Sequence, residues 1–236
     1  MKLVEITKDD IRSDSVGIIP IGSIEQHGPH LPLGTDGIIA EYISVKVEEE
    51  LKDRVLLFPT IFYGVSIEHK GFPFVTLSFA TAISLVKDIL YSAKDNLGLT
   101  RFVIVNGHGG NNYFLPLVQR EFNMNNDKAK VLIFNVFDDK DKEVFKVNDL
   151  HAGSIETSRI YVINKSLVKI DKIKEIKDYN VKTGVFTLYP SKEGNIYGVL
   201  NDGKPIIIDE QLGENVLRQK IRELVNVILS FSSDKI

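Results

Sequence analysis

The chain has 236 residues, 43% hydrophobic and 26% charged, with a formal charge of −3. That length buries a substantial core at the upper end of single-domain size, and the weakly acidic balance leaves no basic footprint for nucleic acid. Cysteine is absent, which excludes disulfides, a thiolate nucleophile and cysteine-based zinc or iron–sulfur sites and leaves His, Asp and Glu to hold any metal, as in open catalytic sites.

The charged start, MKLVEITKDDIRSD, lacks the apolar core of a signal peptide. No apolar run approaches the roughly 20 residues that span a bilayer. A cytoplasmic protein without a membrane partner is expected. Val16–Ile21 is a short apolar run without alternation, the pattern of a strand buried on both faces. The segment PIGSIEQHGPHLPLGTD, Pro20 to Asp36, follows at its C-terminal end, the edge where open α/β sheets bind ligands. Glu25 and His27 are two apart and face one side of an extended backbone. One carboxylate with one imidazole suits a metal of the Zn, Fe or Mn type. Asp36 arrives after a rigid Pro-Gly loop with a second carboxylate, whose two oxygens can bridge two ions. It can equally cap the helix that the spacing predicts over Asp36–Leu51. His30 is read as hydrogen-bonded to a ligand carboxylate, with an ordinary loop histidine as the alternative.

Val55–Phe58 reads as a second strand closed by Pro59. Tyr63–Pro73 reads as a loop holding Glu68, His69 and Lys70, with His69 either at the substrate mouth or idle. Thr76–Phe79 is a short β-like run. Spacings of three and four predict a helix over Ile83–Leu97, ended by Gly98. Arg101–Val105 is a third core strand, and NGHGGN (Asn106–Asn111) repeats the strand-then-ligand layout with His108; Asn106 and Asn111 are read as holding the turn. A helix over Tyr113–Phe122 and a strand over Val131–Val136 complete an alternation that predicts an α/β protein, its parallel sheet covered by helices on both faces. After a short charged segment comes HAGSIETS (His151–Ser158), with Ser154 at a helix start and Glu156 in the first turn, where a carboxylate suits the helix dipole. Lys165–Lys177 reads as surface, Val181–Pro205 as loops and a hairpin, and Glu210–Phe231 as an amphipathic terminal helix. Neither repeats nor linkers interrupt the chain, so one domain over 1–236 is expected.

Four of the five histidines fall in these three polar segments. Brought to one sheet edge, Glu25, His27, Asp36, His108 and Glu156 make five N/O ligands, a set suited to two divalent ions sharing a carboxylate. Glu68 competes with Glu156 for the fifth place. His151 remains as a proton shuttle with a pKa near neutrality, and the Gly109–Gly110 turn offers N–H groups to an oxyanion. Hydrolysis of a C–N amide bond uses all of these parts. Ser23 and Ser154 stand outside any nucleophile-elbow pattern. The rival class is a non-catalytic metal- or nucleotide-binding module, yet NGHGGN lacks the P-loop lysine and the dinucleotide spacing.

In order along Gly17–Ser158, IGSIEQHGPHLPLGTD, NGHGGN and HAGSIETS resemble the creatininase family of metal-dependent amidohydrolases. The resemblance implies a three-layer α/β/α sandwich with a mostly parallel central sheet, a binuclear centre and a homo-oligomer acting on a small-molecule substrate. It would place Glu25, Asp36 and His108 on one ion and His27, Asp36 and a further Glu on the other, with His151 in proton transfer. Two departures stand out. Gly110 occupies the position of a metal-binding Glu in creatinine amidohydrolases, which leaves the fifth ligand to Glu156. The tryptophans that enclose creatinine are absent. The compact chain, the GHGGN form and an archaeal-looking composition resemble most the archaeal branch that removes formate from a formylaminopyrimidine ribonucleotide in flavin and deazaflavin biosynthesis, using ferrous iron or zinc. Creatinine amidohydrolase and mycofactocin-type peptidase are the alternatives within the family. Lys70, Arg159 and Lys192 are candidate phosphate contacts, weighed against ordinary surface charge.

Overall fold

The computed structural model describes residues 1–201 and 203–233. In chain order the elements are β1 (Val16–Ile21), β2 (Ile24–Glu25), α1 (Thr35–Leu51), β3 (Val55–Leu57), β4 (Phe74–Val75), α2 (Phe79–Leu97), β5 (Arg101–Asn106) and α3 (Leu115–Asn125). They continue as β6 (Lys130–Asn135), α4 (Asp139–Phe145), β7 (Asp149–His151), α5 (Ser154–Ile163), α6 (Ile170–Ile173), α7 (Ser191–Gly194), β8 (Leu200–Asn201) and α8 (Glu210–Ser233). The central sheet has four parallel strands in the order β3-β1-β5-β6. β2 pairs with β4, and β7 with β8, as small antiparallel pairs.

Side chains alternate across the sheet, so a strand apolar on both faces needs a cover on each. Val16, Ile18, Val55, Leu57, Val103 and Val105 face α1, α5 and α8 through Ile39, Ile43, Ile160, Leu217 and Leu224. Ile19, Ile21, Leu56, Phe102, Ile104 and Val131 face α2 and α3 through Val86, Leu90, Val118 and Phe122. The result is the expected three-layer α/β/α sandwich. Each fully buried aliphatic side chain contributes about 1.5–3 kcal/mol. Among the described residues, no helix is long and apolar enough to cross a membrane.

Several local expectations shift. Pairing at Thr76–Phe79 is replaced by Phe74–Val75 against Ile24–Glu25. Ser78 instead caps α2 by accepting the Thr81 N–H at 3.1 Å, so this helix begins four residues before Ile83. The charged segment before His151 holds α4, which starts at Asp138 with a capping box to Asp141. Within Val181–Pro205 the regular structure is α7 and β8, and β8 reaches back to β7 instead of closing a local hairpin. A strand of two or three residues carries too little periodicity to be read; its partner is set by the tertiary fold.

Candidate metal centre

The two central strands end at one edge, and three polar segments meet there. Gly22 follows β1 where a Cβ would collide with the Gly37 backbone, so only glycine lets the first turn of α1 sit on the strand end. Asp36 lies in that first turn, with Gly34 as the capping residue. Its carboxylate therefore faces the helix N-terminus without serving as the cap. His108 follows β5, His151 ends β7, and Glu156 lies in the first turn of α5.

Hydrogen bonds determine which imidazole nitrogens are bare. His108 Nε2–H donates to the Val65 carbonyl at 2.8 Å. Its Nδ1 lies 3.2 Å from Glu25 Oε2 and 3.1 Å from Asp36 Oδ2. His27 Nδ1–H donates to the Glu25 carbonyl at 3.0 Å, while Nε2 lies 3.1 Å from Asp36 Oδ1 and 3.9 Å from Glu156 Oε2. His151 Nε2–H donates to the Gln26 carbonyl at 2.6 Å, and its Nδ1 lies 3.8 Å from Glu25 Oε1. Ligating histidines carry this arrangement, with the far nitrogen tied to a carbonyl and the near one free. Glu25 Oε2 and Asp36 Oδ2 are buried without a hydrogen-bond partner among the described residues. Lone pairs this close repel one another unless a cation or proton lies between them, so the donor set fits divalent metal.

The charge balance of the protein alone says the same. Burial by itself would lower the pKa of His27, yet Asp36, Glu156 and Glu25 raise it to about 10. His108 is raised well above the imidazole range against its burial, by Glu25, Asp36 and Glu68. Burial raises Glu156 to about 7, with His27 opposing and Asp36 adding to the rise. Protons thus gather where positive charge is wanted.

The structure brings Glu25, His27, Asp36, His108, His151 and Glu156 to one place, and adds His69. That residue is 1% exposed, and its Nε2 lies 3.1 Å from Glu25 Oε1. Glu68 reaches His108 Nε2 at 3.3 Å, on the side away from the other carboxylates. The Glu68-His69 pair sits in a Gly- and Pro-containing loop like the Glu25–His27 pair, and that likeness was the available signal. His30 departs from its expectation: it donates to Thr157 Oγ1 at 2.9 Å and touches no ligand carboxylate. Arg159 departs too. It is fully buried, pairs with Asp141 at 2.9 Å, donates to the Val136 carbonyl and stacks on Phe137, so it is no phosphate contact. Lys192 lies over the Phe72 ring, outside the cavity lining. Asn106 and Asn111 hold the turn, bonded to each other, to the His108 N–H and to the Val65 N–H. Ser154 Oγ accepts the Ile207 N–H.

A cavity of about 970 Å³ opens over the centre, lined by Phe79, Tyr113, Phe137, Phe186 and Tyr189 with Lys70 and Lys142. The Phe186 ring lies 5.4 Å from His69 and 6.0 Å from His151. Its backbone is left-handed at φ 66°, as is Ala152 beside His151 at φ 52°, a strain that recurs in residues held for function. Sequence reading passed over both.

Gly110 has no room for a side chain, because a Cβ there would meet the Val65 carbonyl, Glu68 Oε1 and His108 Nε2. Gly110→Ala is therefore expected to destabilise by about 1–3 kcal/mol, as overpacking does. A thermal melt with an unchanged midpoint would show that the neighbours move aside freely.

The fold and this cluster define a class: an α/β/α scaffold presenting a His–carboxylate cluster that could hold metal at the C-terminal edge of its sheet. A family model described as "Creatininase: Creatinine amidohydrolase" matches residues 1–228, and the chain belongs to the creatininase family. It is 36% identical over 160 residues to a mycofactocin precursor peptide peptidase of Mycolicibacterium smegmatis, covering 66% of this chain and 61% of that protein. The chain thus spans less than two thirds of the length of the mycobacterial peptidases. It is 27% identical over 227 residues to a 2-amino-5-formylamino-6-ribosylaminopyrimidin-4(3H)-one 5'-monophosphate deformylase of Methanothermus fervidus, covering 91% of this chain and 83% of that protein. A solved mutant creatininase complexed with creatine aligns with TM-score 0.81 at 25% identity over 99% of both chains.

Proposed function

We propose that the protein is a metal-dependent amidohydrolase that removes the formyl group from a formylaminopyrimidine ribonucleotide, using two divalent ions (Fe2+, Zn2+ or Mn2+). The observation that carries the reading is Asp36, whose Oδ1 and Oδ2 each face a different bare imidazole nitrogen at 3.1 Å. Glu25, Asp36 and His108 would hold one ion. His27, Asp36 and Glu156 would hold the other, with the Ala152 N–H steadying Glu156 Oε2 at 2.5 Å. The chemistry supplied on loading is Lewis acidity, which acidifies water and polarises a carbonyl. His151, with Nδ1 bare, accepts the water's proton and delivers it to the leaving amine nitrogen. The Gly109 and Gly110 N–H groups, in a turn lining the cavity, hold the developing oxyanion.

The substrate reading draws support from coverage. Deformylases match along 91% and 92% of this chain, against 66% for the first peptidase. A cavity of about 970 Å³ lies within the usual range for small-molecule sites, and its aromatic lining suits a flat pyrimidine. Lys70 at the cavity is the cation assigned to the phosphate. A homo-oligomer belongs to this reading through the family resemblance. Peptide trimming is the second reading, favoured by the 36% identity to the peptidase.

The test is anaerobic purification followed by assay against the formylaminopyrimidine nucleotide, creatinine and short peptides. Formate release that a chelator abolishes and Fe2+, Zn2+ or Mn2+ restores is expected. Peptide cleavage without formate would select the second reading. Metal uptake with no turnover of any substrate would leave a binding module.

A further inference from the structure

We propose that His69 is a positioning residue: locked in one tautomer, it donates a hydrogen bond to Glu25 Oε1 and so keeps Glu25 Oε2 turned toward His108 and Asp36. The inference rests on the metal-centre reading above and deepens it.

The argument is a chain of forced hydrogen-bond directions. Gln26 Oε1 accepts the Gly28 N–H at 2.9 Å, and Gln26 Nε2 donates to the Gly198 carbonyl at 3.1 Å. Backbone groups cannot exchange roles, so the amide has one orientation. Its second N–H then faces His69 Nδ1 at 3.2 Å. A ring nitrogen facing a donor must be bare, and the neutral ring carries its proton on Nε2. That nitrogen lies 3.1 Å from Glu25 Oε1. Ser191 Oγ, 3.2 Å from the same Nδ1, can donate to it as well.

The tautomer separates His69 from the other histidines of the cluster. His27, His108 and His151 tie a protonated nitrogen to a backbone carbonyl and present a bare one inward. His69 is reversed: its proton points inward and its bare nitrogen points away. Together with Glu25 and His151 it forms a group whose ligand atoms lie within 4.8 Å of one another, yet a protonated Nε2 is a donor and not a ligand. Its function is to hold one carboxylate oxygen so that the other is free. Of the segment that also carries Phe186, Ser191 contacts His69 directly and Gly198 holds Gln26 against it, so that segment supports the Glu25 rotamer through His69.

Three variants test this by metal affinity, measured by competition against a chelating dye, with circular dichroism confirming the fold. His69→Leu removes the donor. His69→Gln keeps an N–H near the Nε2 position. His69→Asn keeps a polar group near Nδ1 but cannot reach Glu25. We expect Leu and Asn to weaken binding by about 10–100-fold, the usual cost of losing a partner behind a ligand, and Gln to restore most of it. Unchanged affinity in His69→Leu would overturn the proposal. So would Asn matching wild type while Gln fails, since the contact to Gln26 and Ser191 would then suffice. Loss of metal in all three folded variants would make His69 a ligand, which also overturns it. If the leucine variant fails to fold, the Gln and Asn pair decides. Wild-type protein that takes up no divalent ion would sink the metal reading itself, a result distinct from each of these.

Discussion

Asp36→Ala is expected to strip the protein of both ions at once and to lower amide hydrolysis by at least about a thousandfold, the several kcal/mol that metal supplies to a charged transition state. The size follows from geometry. Glu25 and His108 serve one side of the centre and His27 and Glu156 the other, whereas Asp36 reaches both, with Oδ1 on His27 and Oδ2 on His108. Removing any other carboxylate leaves one cluster intact. The fold should survive, because Asp36 Oδ2 has no hydrogen-bond partner among the described residues and its loss relieves repulsion from Glu156. Metal analysis of dialysed protein beside a thermal melt checks both halves. Two ions retained at wild-type rate would remove Asp36 from the site.

His151→Ala should behave in the opposite way: metal stays, and kcat falls by about 10²–10⁴, the range for losing a positioned general base. His151 is 5% exposed, and its Nδ1 lies 3.8 Å from Glu25 Oε1, farther than the 3.1 Å that separates His27 and His108 from Asp36. Burial, with His27 adding, holds its pKa well below the ordinary value, so the ring rests neutral with Nδ1 unprotonated. Its ring packs 4.3 Å from His27 and 4.5 Å from His69. Because ligand atoms of His27, His151 and Glu156 also cluster within 4.8 Å, the variant's metal content is the deciding number. Loss of an ion along with activity would make His151 a ligand.

Much of the fold was legible because its signals are local. VGIIPI and RFVIVN are apolar on both faces, and nothing but a strand between two helix layers satisfies that. Ile83, Val86 and Leu90 mark a helix by spacing alone, and Gly98 at φ 70° ends it as expected. Elements held by distant partners were harder to see. β7 and β8 lie about fifty residues apart in the chain, and neither has a pattern of its own. α4 is polar and rests on the buried pair Arg159–Asp141 and on Lys220, a buried ammonium paired with the partly exposed Asp138 at its cap.

The six residues expected at the centre lie together in the structure, and the signal for them is one that sequence displays: scarce histidines beside carboxylates, following strand ends. What sequence determined by itself was which side chains carry suitable donor atoms and on which edge of the sheet they gather, since loop composition and strand direction set these. Only the tertiary structure decided how each is turned. The choice of tautomer at His27, His108 and His151, the reversed role of His69 and the burial of Arg159 all depend on carbonyls, amides and charges supplied from remote parts of the chain. A buried polar group takes whichever partner the fold provides, and no local pattern encodes that partner.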